Sequence, residues 1–181
     1  YIIDTGIRFA HGDFGGRAVT GYDAVDGGSA DDCNGHGTHV AGTIAQHVNN
    51  GVGVTGIAYN AKIMPVRVLD ENGEGAAFEI SRGIRYAAKR GADIVNLSLE
   101  FDPSITARQV PDIISAIRFA HRKGAIVIAA AIILGATRTQ LISGTGALVA
   151  GAVLVIVPIL IVFAALQRYI VAGLTQGSVT G

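Results

Sequence analysis

The sequence predicts an α/β fold over residues 1–131, a parallel sheet with helices on both faces, followed by a single C-terminal transmembrane helix. Three features predict it. Short apolar, strand-like runs alternate with helical patterns, as in sheets whose strands are joined by crossover helices. Gly91 and Gly124 stand where the C-terminal caps of two such helices are expected. The charge also stops abruptly: of 14 basic and 14 acidic side chains, only Arg138 and Arg168 lie beyond Lys123.

The predicted strands are "YIID" at 1–4, "AKIMPVRVL" at 61–69, "ADIVNLSL" at 92–99 and "AIVIAAA" at 125–131. Helices are predicted for "HGTHVAGTIAQ" at 36–46 and for residues 76–90, where Ile80, Ile84 and Ala87 recur at helical spacing. A third is predicted over 106–123, with Val110, Ile113, Ile117 and Ala120 on one face. The chain opens directly on a strand, with no initiator Met and no basic-then-apolar leader, which reads as a fragment lacking its natural N-terminus.

From Gly144 to Leu166 there are 23 residues without a charged group. At about 1.5 Å per residue, a helix of that length crosses a hydrocarbon core roughly 30 Å thick. Pro158 would kink it, which membrane helices tolerate more readily than soluble ones. The same run could instead be a buried helix of a larger domain. The predicted organisation is therefore an α/β domain at 1–131, a junction at 132–143, the span at 144–166 and a tail at 167–181.

Composition excludes some partners. The formal net charge is zero and the basic residues do not cluster, so there is no electrostatic footprint for nucleic acid. Cys33 is the only cysteine, which rules out an intrachain disulfide.

Asp4 falls at the end of the first strand, and the carboxyl ends of parallel strands are where such folds build sites. A lone Asp there also serves as a turn or cap residue. "NGHGTHVAGT" at 34–43 is more specific. Glycines flank His36 at a helix start, and an imidazole near the positive end of a helix dipole is held toward the neutral form a general base needs. Cys33, His36 and His39 could alternatively ligate a metal, although no further ligands are evident. His39 reads as structural, and His11, His47 and His121 lack a partner motif.

"YIIDTGI" and "NGHGTHVAGTIA" together resemble the aspartate and histidine motifs of the subtilases, the subtilisin-like serine endopeptidases. The resemblance continues through "NNGVGVTGIAYNAKIMPVRVLDENGEG" and "GADIVNLSL" to "AIVIAAA". It implies that Asp4 orients His36 and that His36 takes a proton from a serine nucleophile. It further implies that Gly73, Glu74 and Gly75 form one rim of a substrate cleft and Ser98, Leu99 and Glu100 the other. A polypeptide substrate would pair with both by strand addition. Glu100 stands where the family has glycine, which changes the primary specificity pocket.

The resemblance also implies a structural Ca²⁺ site, with side chains Asp13 and Asn50 and the carbonyls of Val48, Val52 and Val54 as ligands. Read from its residues alone, "VNNGVGV" could instead be a Gly/Asn turn without an ion.

The family pattern then breaks. Ile132 and Ile133 replace the Gly-Asn whose amide supports the oxyanion. The family needs more strands and loops before its serine motif than the chain after Ala131 provides. "SGTGALVAGA" shares letters with that motif but has Gly146 at the serine position, while Ser143 comes three residues early. The expectation is a serine endopeptidase by descent that is inactive alone.

"ALVAGAVLVIVPILIVFAALQRYIVAGLTQGSVTG" resembles the last helix and cytoplasmic tail of carbohydrate ABC transporter permeases. That resemblance implies a membrane-anchored or transport-related chimera, with a cytoplasmic C-terminus and the peptidase part extracellular or periplasmic. An abrupt change of family near residues 131–138 is what either a gene fusion or an erroneous join of two genes produces.

Overall fold

The computed structural model describes residues 1–101 and 104–129. Among these residues five parallel strands form one sheet: β1 (Ile2–Asp4), β2 (Tyr22–Asp23), β3 (Pro65–Arg67), β4 (Ile94–Leu97) and β5 (Ile126–Ala129), in the spatial order β2-β3-β1-β4-β5. The first strand is thus central, with β3 on one side and β4 on the other. Three helices connect them: α1 (His36–Ala45), α2 (Ala77–Lys89) and α3 (Pro111–Arg122).

The helices lie on both faces because neighbouring residues of β1 point in opposite directions. Ile3 packs with Val66, Val68, Ile84, Val95, Leu97 and Ile113 in the larger core, which α2 and α3 cover. Ile2 joins Ile7, Phe14, Ala41, Ala45 and Ile63 in a smaller core beneath α1. Small residues along α1, Gly37, Ala41 and Ala45, are the ones it buries, so its backbone sits close to the sheet.

Each predicted strand and helix contains an observed one, the strands shorter than expected and residues 130–131 of the last lying outside the described residues, with two further differences. α3 begins at Pro111 rather than 106, because proline fits the first helical turn and Val110 before it is not helical. The two-residue strand β2 was not anticipated; it extends the sheet beyond β3. Gly91 and Gly124 follow α2 and α3 with φ of +75° and +89°, the left-handed conformation of a helix C-cap.

The sheet is unevenly covered. Register places Ile2 beside Asn96, and Ile94 beside Ile126, so Ile94, Ile126 and Ile128 share the α1 face. They are 47 %, 62 % and 50 % exposed. Thus, among the described residues, α1 shields the β1 end of its face and no element covers the β4–β5 end.

Among the described residues, no helix is long and apolar enough to cross a membrane. The 132–143 junction, the charge-free run at 144–166 and the 167–181 tail lie outside the described residues, as do Ile132, Ile133, Ser143 and Gly146.

Candidate active site

Asp4 ends the central strand and is fully buried, while His36 opens α1 with its side chain 48 % exposed. Nδ1 of His36 lies 2.8 Å from Oδ1 of Asp4. An ionised carboxylate only accepts, so this contact requires the imidazole proton on Nδ1 and, in the neutral ring, leaves Nε2 without one. Asp4 Oδ1 also accepts from the Thr5 N–H at 2.7 Å, and Oδ2 is buried with no partner among the described residues. Burial pushes the Asp4 carboxyl above its ordinary value, against hydrogen bonds from His36 and Thr5 that pull it down.

This approach of helix to strand depends on missing side chains. A Cβ at Gly37 would lie 2.1 Å from the Gly6 carbonyl oxygen and 3.1 Å from Asp4 Oδ1. Only glycine lets the first turn of α1 come close enough for His36 to reach Asp4.

The turn before α1 is organised by Asp32, a residue the sequence reading passed over. Its Oδ1 accepts from Thr5 Oγ1 (2.9 Å), Asn34 N (3.0 Å) and Gly35 N (2.8 Å). Its Oδ2 accepts from Thr38 N (2.9 Å) and Thr38 Oγ1 (2.5 Å). Desolvation pushes this carboxyl up, but the donors from Gly35, Thr38 and Asn34 outweigh it and the net displacement is downward. The signal was present in "DDCNGHG": an Asp followed by Asn-Gly ahead of a helix is a side-chain-to-backbone turn in the making.

The two expected rims flank Asp4, because they follow the strands on either side of β1. After β3, the loop through Gly73, Glu74 and Gly75 is closed by Asp70, whose Oδ1 accepts from Asn72 N and Glu74 N, both at 2.9 Å. The backbone hydrogen bond from Glu74 and then Asn72 holds the Asp70 carboxyl below the ordinary range despite some desolvation. Asn34 Nδ2 donates to the Glu71 carbonyl at 2.9 Å, tying this rim to the loop that carries His36. After β4, Ser98 accepts from Asn96 Nδ2 at 2.9 Å, Leu99 is buried and Glu100 is exposed.

The alternative of a metal held by Cys33, His36 and His39 is overturned. His36 already uses Nδ1 on Asp4, and among the described residues no group of three or more His, Cys, Asp or Glu side chains could hold a metal ion. Cys33 is an exposed free thiol. Elsewhere, Asn50 Nδ2 donates to Asp13 Oδ1 at 3.3 Å and Asn50 Oδ1 accepts from Val52 N at 3.1 Å, so the two side chains suggested for Ca²⁺ are adjacent. Val52 and Val54 are exposed beside them, and Val48 is half-buried.

The described site is thus a buried Asp at the end of the central strand of an α/β sheet, paired to a half-exposed His at a helix start. The chain belongs to the subtilase family, whose model matches residues 2–131. It is 44 % identical over 131 residues to a thermophilic serine proteinase from Bacillus sp. (strain AK1), covering 72 % of this chain and 31 % of that protein. It is 42 % identical over 131 residues to thermitase from Thermoactinomyces vulgaris, covering 72 % of this chain and 45 % of thermitase. The structure of a cold-adapted subtilisin-like serine proteinase superposes with a TM-score of 0.62 at 38 % identity, over 71 % of this chain and 44 % of that one. The chain therefore spans less than half the length of these proteins. Other relatives include an extracellular serine proteinase of Thermus sp. (strain Rt41A) and the major intracellular serine protease of Bacillus subtilis (strain 168), so likeness of this degree occurs on both sides of the cell membrane. The family match ends at residue 131 and does not extend to residues 139–181, for which the permease resemblance finds no support in these comparisons.

Proposed function

We propose that this chain carries the Asp–His arm of a serine endopeptidase acting on polypeptides, with Asp4 orienting His36 and His36 Nε2 as the base, and that it does not hydrolyse peptides alone. The observation that supports the first part is the 2.8 Å contact between a fully buried carboxylate and a half-exposed imidazole. It lies at the carboxyl edge of β1, between the loops that follow β3 and β4. Asp4 would stabilise the imidazolium formed when His36 accepts a proton. A substrate strand would lie between Gly73–Gly75 and Ser98–Glu100.

The second part is supported by the sequence alone. Gly146 has no side chain to attack a carbonyl, and Ile132 and Ile133 offer no amide to an oxyanion. A fluorophosphonate probe, which labels activated serines, should leave the chain unlabelled. Stoichiometric labelling that disappears in His36→Ala would overturn the claim of inactivity. For the first part, the chain is refolded with a subtilase C-terminal segment that supplies the serine and the oxyanion Asn. Peptide hydrolysis that His36→Ala abolishes is expected, and hydrolysis that survives it would overturn the role of His36.

A structural Ca²⁺ on Asp13, Asn50 and the carbonyls of Val48, Val52 and Val54 belongs to the same reading, supported by the adjacency of Asp13 and Asn50. A carboxylate, a carboxamide oxygen and loop carbonyls are the hard donors this ion takes, and it would clamp the 48–54 loop to the turn at Asp13. Asn50 must turn its oxygen, now engaged by Val52 N, toward the ion. Ca²⁺ should raise the melting temperature of the chain and leave Asp13→Ala unaffected; equal response of both would remove the site. A peptidase part outside the cell is supported by the extracellular relative and not by the intracellular one. The membrane-anchored or transport-related reading rests on residues 139–181 alone.

A further inference from the structure

The Asp–His pair and the cleft rims do not explain why a carboxylate with five donors sits under the turn before α1. Three of those donors, Gly35 N, Thr38 N and Thr38 Oγ1, belong to the helix start and act as a cap. The Thr5 hydroxyl is a different kind of partner. Thr5 is 1 % exposed and lies on β1's side of the gap. Its hydroxyl donates to Asp32 Oδ1 at 2.9 Å and accepts from Gly37 N at 2.9 Å, while its own N–H donates to Asp4 Oδ1 at 2.7 Å.

Thr5 follows Asp4 and Gly37 follows His36, so one buried hydroxyl joins the residues next to both members of the pair. A hydroxyl has a single proton, and the Gly37 N–H can only donate. The hydroxyl can therefore serve Gly37 only if its proton goes elsewhere, and Asp32 is the group that takes it. We propose that Asp32, acting through Thr5, is a positioning residue for the Asp4–His36 pair, fixing the gap between the end of β1 and the first turn of α1. The proposal rests on the reading of that pair given above. Asp32 touches no reacting atom; it acts by locking the rotor that spans the gap.

Thr38 bonds only Oδ2 of Asp32 and Thr5 only Oδ1, so the Thr38 part of the cap can be separated from the positioning. The experiment follows the His36 Nδ1 proton by NMR in the full chain with ¹⁵N-labelled histidine, measuring its exchange with water. Thr5→Val, close in shape and without the hydroxyl, should exchange this proton about tenfold faster, the equivalent of one hydrogen bond. Asp32→Asn should do the same, and Thr5→Ser should behave as the unaltered chain. Thr38→Val should lower the melting temperature without changing the exchange rate. The idea is overturned if Thr5→Val and Asp32→Asn keep the original rate, or if Thr38→Val accelerates exchange as much as they do. An unaltered chain whose proton exchanges too fast to detect would overturn it too, because a locked pair protects that proton. No peptide is turned over here, so failure of the peptidase reading would appear separately, in the hydrolysis assay.

Discussion

His36 and Asp4 meet at 2.8 Å across a steep gradient of exposure: the carboxylate is fully buried and the imidazole side chain 48 % exposed. The carboxylate therefore bears most of the desolvation, and the imidazole keeps a nitrogen available to a substrate. Burying Asp4 has a consequence for stability.

Its carboxyl is raised in the folded chain, with burial as the main cause, so the folded state holds that proton more tightly than the unfolded state. The stability this contributes is complete below the ordinary value of 3.8 and is lost as pH rises through the raised one. Asp4→Asn should thus unfold at higher urea concentration than the unaltered chain at pH 7, with the difference shrinking toward acid. Equal midpoints at pH 7 would contradict the assignment.

Gly37→Ala tests the close approach of α1. The added Cβ falls 2.1 Å from the Gly6 carbonyl oxygen, a backbone atom, so the helix must move. Overpacking of this kind costs about 1–3 kcal/mol, sometimes more. We expect a loss of at least that size in urea unfolding, together with loss of the Nδ1 proton's protection in His36.

Arg67 and Asp23 form a buried ion pair at 2.8 Å, with side chains 8 % and 0 % exposed. Asp26, at 3.0 Å from the same guanidinium nitrogen, is largely solvated. Desolvation works against the Arg67 charge, but its bonds to Asp23 and Asp26 win and its pKa is raised. Arg67→Ala would strand the Asp23 carboxylate, a change that costs about 3–5 kcal/mol for buried pairs. Urea unfolding of Arg67→Ala and of Asp26→Ala should differ clearly, with the second nearly neutral.

The two faces of the sheet should respond unequally. Ile84 is fully buried in the larger core, and Ile84→Ala should cost about 2–5 kcal/mol. Ile128 is 50 % exposed on the opposite face, and Ile128→Ser should change stability by less than about 0.5 kcal/mol. A large effect at Ile128 in thermal unfolding would mean that its face is covered in solution.

What the sequence made legible were features whose cause is local. Ile80, Ile84 and Ala87 mark the buried face of α2 because helical periodicity forces it, and Gly91 and Gly124 mark ends because left-handed backbone favours glycine. Asp4 and His36 could be paired only through the family resemblance, since 32 positions separate them and no periodicity spans that gap. Strand β2 escaped because two residues cannot display alternation; its place depends on pairing with β3. Asp32 escaped for a related reason. Its turn was visible in Asn34 and Gly35, but its bond to Thr5, 27 positions away, is a product of the fold.

Strand β5 has one described neighbour, β4, and its four residues, Ile126–Ala129, include no charge and no proline. Nature usually guards such a margin with lysine, proline or a bulge, because bare strand edges recruit other strands. Here the guard is absent from the strand itself, and Ile126 and Ile128 add an oily flank. Wherever that edge is left uncovered, it offers a pairing site to a strand of a neighbouring molecule, and such association grows with concentration.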